Sequence, residues 1–112
     1  MSARTQTLLW VGQRASAAIL ALCVVIHLCT IIYAVRGGLT GAEILARTRG
    51  NAGWFAFYSL FVIAVSVHVP IGLRSILSEW FAWRGSSRDV ALAAFAIFLA
   101  GFGLRAVFGV FA

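Results

Sequence analysis

Residues 54–73 read WFAFYSLFVIAVSVHVPIGL, twenty positions without a single charged side chain. About twenty apolar residues, each rising about 1.5 Å in a helix, cross the roughly 30 Å hydrocarbon core of a bilayer. A helix also satisfies its own backbone donors and acceptors in lipid, so this stretch reads as a membrane span. Two similar runs flank it. One covers residues 15–35, with Trp10 and Tyr33 at the interfacial levels that amphipathic rings favour. The other starts near Val90 and continues to the end, interrupted only by Arg105, which is close enough to the end to snorkel outward. The expectation is an all-α membrane protein, one transmembrane domain over residues 1–112. Its three helices, at about 9–35, 54–78 and 89–111, form an up-down-up bundle.

Composition agrees with that class. The 112 residues are 62% hydrophobic and 11% charged, with a mean hydropathy of +1.00, too few polar side chains to clothe a soluble globule. All nine basic residues are arginine and the net charge is +6. They are scattered at segment ends rather than gathered into a stripe, which argues against nucleic acid and for interfacial anchors facing lipid headgroups. Arg4, Arg14, Arg74, Arg84 and Arg88 fall on one side of the bundle and Arg36, Arg47, Arg49 and Arg105 on the other. That division is too even to set the orientation. The first run is too long for a signal-peptide core, so an uncleaved span is expected. Cys23 and Cys29, six residues apart on a helix, point in different directions and read as packing residues.

The connections carry helix-boundary signals. Thr40-Gly41-Ala42-Glu43 has capping-box spacing and is followed by Ile44, Leu45, Arg47 and Arg49, which predicts a short interfacial helix. Glu79-Trp80-Phe81-Ala82-Trp83-Arg84 reads as an interfacial belt. Gly85-Ser86-Ser87 then breaks the helix, and Ser86 through Asp89 are expected to cap the third span. Gly101, Gly103 and Gly109 are expected at close helix contacts.

Chemistry centres on His27 and His68, the only two histidines, each inside a span. An intramembrane ionisable side chain is costly and is by default a functional candidate with a partner. A metal, haem iron foremost, is one partner; a backbone carbonyl of a neighbouring helix is the other. Gly72 lies one turn after His68 on the same face and leaves room for a flat macrocycle. Arg74 lies roughly 9 Å along the axis from His68, within reach of a propionate or a quinone carbonyl. Pro70 removes an amide from the ladder and is expected to bend the helix. The acids Glu43, Glu79 and Asp89 all fall in loops or at helix ends, so no constellation for hydrolysis or group transfer is present and the chain is not expected to be catalytic alone. A small multidrug-type transporter or channel subunit packs few helices into this length too, but that class normally needs an intramembrane carboxylate or another ion-coupling group, and none lies inside a span here.

His68, Gly72-Leu73-Arg74 and Glu79 resemble the second helix of the cytochrome b membrane-anchor subunit of succinate dehydrogenase and fumarate reductase. There a histidine is followed by a Gly-hydrophobic-Arg triplet and then an acid. Gln13-Arg14-Ala15-Ser16 is similar to the His-Arg-x-Ser of that family's first helix. The resemblance implies that His68 is an axial ligand of haem b and that Arg14 lies near a ubiquinone or menaquinone pocket, with Ser16 and Trp10 as neighbouring cofactor contacts. Three positions depart from the family: Trp10 stands where a polar quinone contact is common, and Gln13 and Ser75 stand where histidines are usual. The implied role is to anchor flavoprotein and iron–sulfur subunits to the membrane and pass electrons between the iron–sulfur chain and quinone. The missing haem ligand would come from a second membrane subunit or a homodimer partner. A haem-free anchor is the plainer alternative, and the bacterial inner membrane is the expected location.

Depth separates the two histidines. If Arg14 and Arg74 mark one interface, His27 lies roughly 20 Å from it and His68 roughly 9 Å. One iron needs both ligands at about 2 Å, so different levels point to two stacked haems, as in the two-haem version of that family.

Overall fold

The computed structural model describes residues 2–112, and among them the chain forms α1 (Ala3–Gly37), α2 (Gly41–Thr48), α3 (Ala52–Trp80) and α4 (Ser86–Phe111), with no strand. Helices α1, α3 and α4 are each long and apolar enough to cross a membrane. Helices α1 and α3 extend beyond the apolar runs, and side chains cap their starts. The Ser2 hydroxyl accepts the Thr5 amide at 3.2 Å, which starts α1 at Ala3, and the Asn51 carbonyl oxygen of the side chain accepts the Trp54 amide at 3.2 Å, which starts α3. Helix α3 continues through Pro70 to Trp80.

The interfacial helix expected in the first connection is α2. Thr40 caps it, with its Oγ1 accepting the Glu43 amide at 3.2 Å and donating to the Glu43 carboxylate at 2.7 Å. Arg47 donates to the Gly38 carbonyl at 2.9 Å and lies 5.5 Å from the Tyr33 ring centroid. At its far end α2 meets the last turn of α4. The Thr48 hydroxyl donates to the Val110 carbonyl and the Gly50 amide to the Phe111 carbonyl, both at 2.8 Å. These bonds satisfy acceptors that a helix end leaves without partners.

The cap expected from Ser86 to Asp89 is not formed. Gly85, at φ 97°, is the N-cap of α4 and no side chain caps the helix. The nearby side chains are engaged elsewhere: Ser87 Oγ accepts the Trp83 indole N–H at 2.9 Å, and Asp89 accepts from Arg88. A charge-assisted bond to a guanidinium is the stronger competitor for a carboxylate.

Helix α3 is the centre of the bundle, packed against α4 on one side and α1 on the other. Cys23, Ala64, Leu92 and Val107 form a small core. Gly103 gives the closest approach, since a Cβ there would lie 2.5 Å from Val62 Cγ1. The same expectation fails for Gly101 and Gly109, where a Cβ would meet nothing within 4 Å. At about 100° per residue they sit on the side of α4 that turns away from α3. Cys23 is buried as a packing residue, whereas Cys29 is exposed. Large apolar side chains such as Leu22, Ile32, Ile97 and Phe102 point outward, which suits a lipid or protein neighbour and not water.

Candidate functional site

The antiparallel register of α1 and α3 brings the sequence-predicted residues together. Ser16 faces His68, Gln13 faces Gly72 and Gly12 faces Ile71. A Cβ added to Gly72 would meet Gln13 Nε2 at 3.4 Å, so the amide of Gln13 borders the notch that the missing side chain leaves.

Ser16 is 4% exposed. Its Oγ lies 3.1 Å from the Gln13 carbonyl and 3.3 Å from His68 Nδ1. A hydroxyl has one proton and two lone pairs. With the serine proton on the Gln13 carbonyl, the shorter of the two contacts, His68 Nδ1–H donates to the serine oxygen; with it on Nδ1 the imidazole is the other tautomer. A neutral imidazole protonated at Nδ1 carries its free lone pair on Nε2, the form in which histidine ligates a metal while its other nitrogen is held by a hydrogen bond.

One turn towards the N-terminal end of α1, Trp10, Gln13, Gly72, Arg74 and Ser75 line a cleft of about 390 Å³. Gln13 Oε1 is buried there without a hydrogen-bond partner, an acceptor for a donor that the chain itself does not supply. Arg14 is exposed and outside this cleft, with its Cζ 5.3 Å from the Trp10 ring centroid. Trp10 therefore links Arg14 to the cleft through a cation–π contact. Of the residues expected at the site, Trp10, Gly72 and Arg74 share one cleft, Ser16 holds His68, and Arg14 reaches the cleft only through Trp10.

Arg74 also borders a second cleft of about 400 Å³, under α1, α3 and α4, with Thr5, Pro70, Asp89 and Leu92. There Arg74 Nε lies 3.5 Å from Asp89 Oδ1. Arg88, 6% exposed, donates to the same oxygen from Nε at 3.0 Å and lies 2.9 Å from it through Nη2. Sequence reasoning missed this cluster by treating Arg88 as an interfacial anchor. The available signal was the Arg88-Asp89 pair at the start of an apolar helix, opposite Arg74 and Ser78 one turn apart on the preceding one.

His27 lies elsewhere. Its Nδ1 is 3.5 Å from the Tyr58 hydroxyl, and its ring meets Tyr58 and Phe61 edge-on at 5.8 and 5.7 Å between centroids. Cavities of about 740 Å³, beside Thr30, Arg47 and Trp54, and about 490 Å³, beside Phe98 and Phe102, both touch this pair. From Ser16 to His27 α1 advances eleven residues, and from Tyr58 to His68 α3 advances ten. Both helices therefore separate the two levels by roughly 15–17 Å. Two nitrogens on one metal lie only about 4 Å apart at about 2 Å per bond. The two histidines are too far apart to meet at one metal ion. Among the described residues no three His, Cys, Asp or Glu side chains converge, and each histidine stands at its own level.

A family model described as succinate dehydrogenase/fumarate reductase transmembrane subunit matches residues 1–108. That range holds both histidines, both clefts and all but the last turn of α4. No curated protein and no solved structure matches the chain.

Proposed function

This chain belongs to the succinate dehydrogenase/fumarate reductase transmembrane subunit family, and on that premise we propose that it is a haem b-binding anchor that passes electrons between an iron–sulfur partner and membrane quinone. Family membership and three spanning helices make it a multi-pass membrane protein. They also imply flavoprotein and iron–sulfur subunits as partners.

The observation that carries the haem reading is the state of His68. Its Nδ1 lies 3.3 Å from Ser16 Oγ, and with the Ser16 proton on the Gln13 carbonyl this contact fixes the ring and would present Nε2 as a ligand. Haem, when bound, supplies reversible one-electron chemistry. The chain's own residues do the rest. His68 would hold the iron, Arg74 would offer a guanidinium to a propionate, and Gly72 leaves the notch that the Gln13 amide borders. Trp10 and Gln13 receive the quinone head, with Gln13 Oε1 as an acceptor for a quinol hydroxyl and Arg14 behind Trp10 through its cation–π contact. His27, at its own level and against two large cavities, is the ligand of a second haem. Each histidine needs a counterpart from a second membrane subunit or a second copy of the chain, since the two lie too far apart to complete one another.

The test is a dithionite-reduced minus oxidised visible spectrum of the detergent-purified complex, with haem counted per chain as the pyridine haemochrome. Two b haems are expected, one lost in His68→Ala and the other in His27→Ala. A single haem that disappears with His68 and survives His27→Ala returns His27 to packing. A colourless complex overturns the haem reading and leaves a haem-free anchor.

A further inference from the structure

The carboxylate of Asp89 is not used by the reading above, yet it sits beside the one arginine that borders both clefts. We infer that Asp89, braced by Arg88 and Ser78, is a positioning residue that aims Arg74 and trims its charge, and that it thereby sets the potential of the haem held by His68. The inference rests on the haem reading of His68 and Arg74.

Arg88 does not behave as an interfacial anchor. Such an arginine buries its stem and carries its head to water, whereas the Arg88 side chain is only 8% exposed. Its guanidinium is spent inside the fold: Nε and Nη2 on Asp89 Oδ1, and Nη1 on Ser78 Oγ. Ser78 in turn donates to the Arg74 carbonyl at 2.9 Å. The main chain of Arg74 is thus tied to α4 through Ser78 and Arg88, while its guanidinium is drawn to α4 through Asp89 at 3.5 Å. Two guanidiniums packed this closely repel one another, and a buried one is strongly unfavourable without a partner. A single carboxylate oxygen answers both.

The consequence for Arg74 is directional. Asp89 draws Nε from the α4 side, so the side chain stays at the seam between the two clefts and does not swing wholly into the α1-side cleft with Trp10 and Gln13. Asp89 also offsets part of the positive charge that an anionic group in that cleft would feel. An oxidised haem carries one more positive charge than a reduced one. Taking away a nearby negative charge therefore disfavours the oxidised form, and releasing Arg74 towards a propionate acts in the same direction.

The experiment is a spectroelectrochemical titration of the purified complex, with haem content read separately as the pyridine haemochrome. Asp89→Asn is expected to keep the haem and raise the midpoint potential of the one that His68→Ala removes. Arg74→Gln is expected to lower it. Because Asp89 acts through Arg74, its effect should shrink in the Arg74→Gln background, a non-additivity that a direct field effect would not produce. Asp89→Glu, which keeps the charge, should return the potential towards wild type. Ser78→Ala, which removes only the brace, should shift it upward by less and carries the same test if Asp89→Asn does not assemble. An unmoved potential in these variants with haem still bound, or additive shifts in the double variant, overturns the inference while the haem reading stands. A wild-type complex without haem overturns both.

Discussion

Replacing Ser16 by alanine removes one oxygen atom and strands one proton. Ser16 is 4% exposed and is the acceptor for His68 Nδ1–H across the α1–α3 contact. A buried donor left without an acceptor costs about 1–3 kcal/mol. At about 1.4 kcal/mol per tenfold, that predicts a loss of roughly 5- to 150-fold in the equilibrium that needs this tautomer. The range overlaps the roughly 10- to 100-fold typical for losing an outer partner of a metal-bound histidine. With no acceptor on Nδ1, the alternative tautomer that protonates Nε2 gains population, and the remaining ligand is less basic. Ser16→Ala should therefore bind haem at least about fivefold more weakly and show a higher midpoint potential. Haem retention is measured by pyridine haemochrome after extended detergent dialysis, and potential by spectroelectrochemistry. Wild-type retention together with a wild-type potential would refute the proton accounting at His68.

Other substitutions test the packing. Gly103→Ala places a methyl 2.5 Å from Val62 Cγ1, and relieving that overlap should cost about 1–3 kcal/mol, seen as a lower temperature for thermal loss of the complex. Gly101→Ala, with nothing within 4 Å, should leave the thermal stability of the isolated chain unchanged. Thr48→Val removes the bond to the Val110 carbonyl at 2.8 Å, about 1 kcal/mol. Hydrogen exchange at residues 108–112 should accelerate, with the rest of α4 unaffected.

The spans were legible because length and hydropathy alone decide what crosses a bilayer, and α2 because Thr40 and Glu43 stand at cap spacing. That His27 and His68 stand at different levels was legible too, but the gap came out too small, because the register that sets Gln13 against Gly72 and Ser16 against His68 does not put Arg14 and Arg74 at one level. Facing was harder to read. A helix that is apolar on every side carries no periodic signal of which side meets its neighbour, and so Gly101 and Gly109 were grouped with Gly103 although only Gly103 touches α3. Ser16 was grouped with Arg14 and Trp10, whereas its contact with His68 depends on a register between two helices that no local pattern encodes. Arg88 was misread because an arginine at a helix start usually serves the interface; here its guanidinium is spent on Asp89 beside it and on Ser78 across the turn.

The bond from Ser16 to the Gln13 carbonyl lies wholly within one helix, and this bears on biogenesis. During synthesis α1 leaves the ribosome and enters the membrane before α3 exists. A lone hydroxyl in hydrocarbon would then be a liability, but this one already has a home for its proton three residues back, so α1 can wait in lipid without a companion. What it keeps in reserve is an acceptor lone pair. When α3 arrives, that lone pair is already oriented towards His68 Nδ1, so on the haem reading proposed above the ring would be set for its ligand before the group arrives.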